Sequence, residues 1–154
     1  YYLAYKAQEL GINPRVILSG RDVNNGIPQH IVKKILSEIS VKKPKILIIG
    51  LTFKPDCPDI RNSKVLDVIN HFNKRNITPY LHDPFYQEDP KLNLKYIFKN
   101  SLEQLSLMHS ILLLVPHKEI IKGGATNLKK LLIKDGYFFD MSSSFPNHES
   151  DGSL

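Results

Sequence analysis

Four consecutive apolar residues, Ile46-Leu47-Ile48-Ile49, run into Gly50 and then into a loop that carries Lys54, Asp56, Asp59 and Arg61 before Ser63 opens a helical stretch. A strand with no polar member needs cover on both sides, which is the condition of a parallel sheet flanked by helices. At the carboxyl edge of such a sheet, the turn from strand to helix is where open α/β folds bind ligands. Lys54 and Arg61 are cations suited to phosphate, so the loop predicts a nucleotide.

The rest of the chain repeats this alternation. Beyond Pro44 the pattern reads as strand over 45–49, helix over 64–74, strand over 79–82, helix over 102–107, strand over 111–115, helix over 128–133 and strand over 137–140. The stretch before it reads as two helices, the first over 2–10 and stopped by Gly11, the second opened by Pro14 and continuing to Ile39. Pro28 removes a backbone hydrogen bond inside the second, which predicts a kink or break near Asn25-Gly26. Ser40-Val41-Lys42-Lys43-Pro44 marks the boundary, dividing the chain into a helical segment over residues 1–43 and an α/β domain over 44–154. With 154 residues and 42% hydrophobic composition there is enough apolar material for one sizeable core.

Charge and cysteine content narrow the classes. The 21 Lys and Arg exceed the 15 Asp and Glu by six, but they fall in scattered pairs without interleaved aromatics, so a lysine-rich solvated surface is expected and no nucleic-acid partner. No apolar run approaches the roughly 20 residues that span a bilayer, so no membrane partner is expected. A single cysteine, Cys57, fits a reducing cytoplasm. The chain begins at Tyr1 without an initiator methionine, as the C-terminal part of something longer would.

Asn62 or Ser63 is placed to cap the helix after the loop, leaving N–H groups and a positive dipole end near Lys54 and Arg61, a setting for a pyrophosphate. The alternative is that Lys54 is a solvated lysine and that Arg61 pairs with Asp56 or Asp59 merely to hold the turn. His82 beside Asp83, and His117 after Pro116, lie at strand ends without partners at metal or triad spacing, so a structural or solvated role is expected. Gly123-Gly124 lacks the flanks of a phosphate loop, and the remaining histidines form no metal pattern.

The segment Gly50-Leu51-Thr52-Phe53-Lys54-Pro55-Asp56-Cys57-Pro58-Asp59-Ile60-Arg61-Asn62-Ser63-Lys64, followed by Tyr80-Leu81-His82-Asp83-Pro84, resembles the C-terminal domain of the UDP-glucose/GDP-mannose dehydrogenase family. Val16-Ile17-Leu18-Ser19-Gly20-Arg21-Asp22-Val23-Asn24 and the tail from Phe139 extend the similarity toward the branch that oxidises UDP-N-acetylhexosamines. The resemblance implies a Rossmann-like doubly wound parallel sheet preceded by part of a helical dimerisation region. It also implies a C-terminal share in an NAD-dependent enzyme that takes the C6 hydroxyl of a UDP-sugar to a carboxylate through thiohemiacetal and thioester on a cysteine, supplying polysaccharide precursors.

In that family the nucleophile precedes the residues resembling Tyr1-Tyr2-Leu3, so no catalytic residue is expected in this chain, which alone would be inactive. Cys57 is expected to be a loop residue. The roles implied here are substrate binding by Phe53 and Lys54 and contact with NAD phosphates by Arg61, NAD itself being held mainly by a domain outside this chain. A homodimer, or a dehydrogenase domain preceding this one, is the implied protein partner. Ser142 and Ser153 stand where the family carries basic residues, and a neutral hydroxyl makes no charge-assisted contact. The competing reading is a non-catalytic nucleotide-sugar-binding or dimerisation module, a remnant of a split gene.

Overall fold

A computed structural model of the chain describes residues 2–89 and 92–154. Two helices come first, α1 (Tyr2–Glu9) and α2 (Arg15–Ser37). Gly11, at φ +72°, ends the first as expected. The sheet follows, built from β1 (Ile46–Ile49), β2 (Tyr80–His82), β3 (Ile97–Phe98), β4 (Met108–Leu113) and β5 (Leu132–Asp140), with helices α3 (Val65–Asn73), α4 (Lys118–Gly123) and α5 (Ala125–Lys129) among them.

All pairings are parallel and the order is β3-β2-β1-β4-β5. The chain therefore lays down β1, β2 and β3 outward in one direction, then crosses back to place β4 on the other side of β1. Connections leave β1 and β4 toward opposite faces, which opens a crevice at their carboxyl ends.

Alternation along β1 supplies both faces. Ile46 and Ile48 join Ile31, Val32 and Ile35 of α2 and Val65, Val68, Ile69 and Phe72 of α3 in one core. Leu47 and Ile49 face the other way, into a core completed by Ile111, Leu113, Phe138, Ile120 of α4 and Leu128 of α5. All four β1 side chains are fully buried, and each contributes roughly 2 kcal/mol through removal from water. The doubly wound sheet read from the sequence is the one observed.

Several local expectations are corrected. Of the kink or break expected near Asn25-Gly26, the break is absent, since the second helix continues through Asn25, Gly26 and Pro28. Pro28 is buried, whereas Asn24, whose carbonyl loses its bond, lies on an exposed stretch where water can replace it. The helix read over 102–107 is a single 3-10 turn, Leu102–Gln104, whose N-cap Ser101 accepts from the Glu103 N–H at 3.2 Å. The helix read over 128–133 ends at Lys129, and Leu132 already belongs to β5. The short β3 and α4 were not expected.

The tail closes the far edge. Lys34 Nζ donates to the Ser153 carbonyl at 2.7 Å, the Phe138 N–H donates to Asp151 Oδ2 at 2.7 Å, and Gly152 bridges Phe139 in parallel.

Candidate functional site

The loop after β1 arches over the crevice between β1 and β4. Gly50, at φ +87°, turns the chain tightly against Val115, and its N–H still extends the ladder to the His82 carbonyl at 2.9 Å. The next two N–H groups, of Leu51 and Thr52, both donate to Asp83 Oδ2, at 2.6 and 3.0 Å. The other oxygen, Asp83 Oδ1, accepts from the Phe85 N–H at 2.7 Å.

His117, just beyond β4, completes the underside. Its side chain is fully buried, with Nε2 3.1 Å from Asp83 Oδ2 and 3.3 Å from Thr52 Oγ1. Nδ1 accepts the Asp56 N–H at 3.0 Å, which assigns the ring proton to Nε2 and makes the imidazole a donor toward Asp83. Phe85 stacks on the ring at 5.0 Å between centroids. Burial alone would raise the Asp83 pKa. The hydrogen bonds from His117 and from the Leu51, Thr52 and Phe85 N–H groups outweigh it and hold this carboxyl at about 2.

The arch is tied down further along. The Asp56 carboxylate accepts from the Lys118 N–H at 3.0 Å, and Phe53 N–H donates to the Asp59 carbonyl at 2.6 Å. Ser63 Oγ donates to the Leu51 carbonyl at 2.6 Å and accepts the Val65 N–H at 3.2 Å, so it is the Ser63 rather than the Asn62 side chain that meets the first N–H of α3, one residue before the N-cap Lys64. Asn62 itself takes the left-handed conformation, φ +63°, that asparagine tolerates.

Between the fixed points, Phe53 and Lys54 project into solvent. Phe53 is 57% exposed, and the Lys54 ammonium meets no described partner. Beside them a cleft of about 150 Å³ runs between Thr52, Phe53, Lys64, Val115, Met141 and Pro28 of α2. A larger hollow, about 540 Å³, lies on the opposite flank between the 3-10 turn and α4–α5 and contains none of Phe53, Lys54 or Arg61.

Arg61 occupies the far limb of the loop. Its guanidinium forks onto Asp59, Nε to Oδ1 at 3.0 Å and Nη2 to Oδ2 at 2.8 Å, while its side chain stays 85% exposed. Hydrogen bonds from Arg61 bring the Asp59 carboxyl down to about 2. The pairing of Arg61 with Asp59, rather than Asp56, is thus present. The fork engages one edge of the guanidinium and leaves Nη1 available to a second anion.

Ser142 is exposed in the turn after β5, and Asp140 is buried, accepting the Phe145 N–H at 2.8 Å. Cys57 is a free thiol. His82 is buried with Nδ1 2.9 Å from the Lys99 carbonyl. His117 takes a structural role, of the two kinds expected, through partners that lie 34 and 65 residues away in the sequence, where spacing cannot display them. Among the described residues no group of three or more His, Cys, Asp or Glu is placed to hold a metal, and no helix is long and apolar enough to cross a membrane.

An open parallel sheet whose strand-order switch carries an arch with an exposed lysine, Lys54, defines an α/β nucleotide-binding domain. The family model described as the UDP-glucose/GDP-mannose dehydrogenase family, UDP binding domain, matches residues 47–147, and the chain belongs to this family. It is 31% identical to the UDP-N-acetyl-D-glucosamine 6-dehydrogenase of Pseudomonas aeruginosa, across 98% of this chain and 37% of that protein. It is 32% identical to Protein CapL of Staphylococcus aureus, across 97% of this chain and 36% of that protein. The fold matches a solved UDP-N-acetyl-mannosamine dehydrogenase, Cap5O of S. aureus, with a TM-score of 0.72 at 23% identity, covering 99% of this chain and 35% of that one. The chain therefore spans little more than a third of the length of these curated relatives.

Proposed function

We propose that this chain is the UDP-sugar-binding, C-terminal part of an NAD-dependent UDP-N-acetylhexosamine 6-dehydrogenase that makes uronic-acid precursors of a polysaccharide. The observation that carries the reading is the arch, which presents Phe53 and a Lys54 ammonium unpaired among the described residues beside a cleft at the switch point. In this reading Lys54 meets the diphosphate and Phe53 flanks the nucleotide. Binding energy from this remote handle then orients the reacting C6 atom, whose chemistry takes place in polypeptide outside this chain.

Arg61 fits the cofactor, since a solvent-facing guanidinium with one edge unengaged can meet the NAD phosphates. When bound, NAD accepts the hydrides that leave C6. A free thiol at Cys57 is in keeping with a reducing cytoplasm.

Calorimetric titration with UDP tests the site. Losing a charge-assisted contact removes about 1.5–3 kcal/mol, so Lys54→Ala is expected to bind UDP roughly 10- to 100-fold more weakly than wild type. Equal heats from the two proteins would refute the assignment.

The apolar face of α1 and α2 favours a protein partner in the same reading. Tyr2 is 77%, Leu3 70%, Val16 88% and Val23 71% exposed, more than scattered surface hydrophobes require. The chain is expected to self-associate as a dimer. Light scattering after size-exclusion chromatography that returned a monomer at high concentration would remove this inference.

The reading as a non-catalytic nucleotide-sugar-binding module draws its support from the neutral Ser142. It predicts UDP binding with no UDP-sugar oxidation after addition of a dinucleotide-binding dehydrogenase domain from a relative.

A further inference from the structure

We infer that His117 is a positioning residue for the nucleotide-binding arch, setting where Phe53 and Lys54 stand although it touches neither side chain. Its effect on affinity rests on the UDP-binding reading above; its effect on the arch does not.

The arch has two feet. The near one is Leu51-Thr52, whose N–H groups both end on Asp83 Oδ2, and the far one is Asp56, whose N–H ends on His117 Nδ1 at 3.0 Å. His117 joins the feet, because its Nε2–H donates to the same Asp83 oxygen at 3.1 Å while Nδ1 accepts from Asp56. Thr52 adds a cross-tie, its Oγ1 lying 3.3 Å from Nε2 and donating to the Lys54 carbonyl at 3.3 Å. Phe53, Lys54 and Pro55 are thus the span between the feet, braced by the Phe53 N–H on the Asp59 carbonyl and by the Thr52 tie to the Lys54 carbonyl.

Asp56 takes a left-handed conformation, φ +57°, which aspartate visits more readily than most residues and which its hydrogen bonds fix here. The Asp56 N–H bond to Nδ1, together with the Lys118 N–H that donates to the Asp56 carboxylate and the Lys118 ammonium that pairs with it, holds it there. A fully buried ring, stacked on Phe85, has no rotational freedom to spare, so the acceptor stays aimed. An acceptor at Nδ1 and a donor at Nε2 are both needed, and neutral histidine alone among the side chains offers the two on one rigid ring.

The test uses three substitutions and two readouts. His117→Phe keeps the ring and its stacking but removes both bonds. His117→Asn retains an acceptor near the Nδ1 position, and His117→Gln a donor near the Nε2 position. Hydrogen exchange at the Asp56 amide should accelerate about tenfold or more in His117→Phe and His117→Gln, with core amides of β1 and β4 still protected, and should return toward wild type in His117→Asn.

UDP titration should follow the same order, about tenfold weaker for Phe and Gln and restored for Asn. Unchanged exchange at Asp56 in His117→Phe and His117→Gln would overturn the proposal. Should His117→Phe fail to fold, the Asn–Gln contrast carries the test, and equal exchange in those two overturns it as well. If wild type itself does not bind UDP while the exchange pattern appears as expected, it is the UDP-binding reading that fails and not the positioning role.

Discussion

Gly50→Ala is expected to destabilise this domain by roughly 4 kcal/mol or more, placing it among the exceptional single substitutions. Two penalties coincide at this position. Gly50 sits at φ +87°, where an L side chain is strained by about 1–2 kcal/mol. An added Cβ would also come within 2.6 Å of the Val115 carbonyl oxygen and 2.7 Å of its nitrogen, both backbone atoms that no rotamer change can move. Relief requires separating the end of β1 from the chain leaving β4, the pair on which the crevice is built. A urea midpoint equal to that of wild type would show that the backbone there gives way more easily than the packing implies.

The second large effect belongs to Asp83. Asp83→Ala strands the N–H groups of Leu51, Thr52 and Phe85 and the Nε2–H of His117 in the interior, all at once. Each buried neutral donor left without a partner costs about 1–3 kcal/mol, so the loss of several at once is expected to destabilise the fold by roughly 3 kcal/mol or more. The carboxylate also gives stability an acid limb. With its pKa held at about 2 in the folded protein, against about 4 in an unfolded chain, the ionised group stabilises the fold above pH 4. That contribution, on the order of 2 kcal/mol, is lost as pH falls from 4 through 2. Denaturation curves across this range should be steeper in pH for wild type than for Asp83→Ala. Parallel curves would mean that Asp83 is not the group responsible.

These substitutions probe different levels of the same object. Gly50 permits the close approach of two strands, Asp83 fixes the first foot of the arch, and His117 carries the second. Lys54 stands on what they hold.

Much of this was legible in the residues. Ile46–Ile49 announced a strand buried on both faces because burial on two sides admits no polar side chain, and that is a local property. Gly11 announced the end of α1 because few residues but glycine take positive φ freely. The loop was visible as a candidate nucleotide site for the same reason, Lys54 and Arg61 lying within one short segment.

Other features were misread where a local rule met a tertiary compensation. Pro28 sits in an unbroken helix because its ring is buried and the carbonyl it abandons lies in an exposed stretch. The five-residue α5 and the two-residue β3 are too short to establish a period.

The amino-acid order by itself determined the class of fold and the position of the candidate ligand loop with its Lys54 and Arg61, because each is encoded by residues within a few places of one another. The tertiary structure alone decided that Thr52, Asp83 and His117 form one buried unit. These residues come from the ends of three strands, and only the order β2-β1-β4, produced by the crossover after β3, lays those ends side by side. Hydrogen bonds act over about 3 Å, and separations of 34 and 65 residues close to that distance only when the sheet has formed.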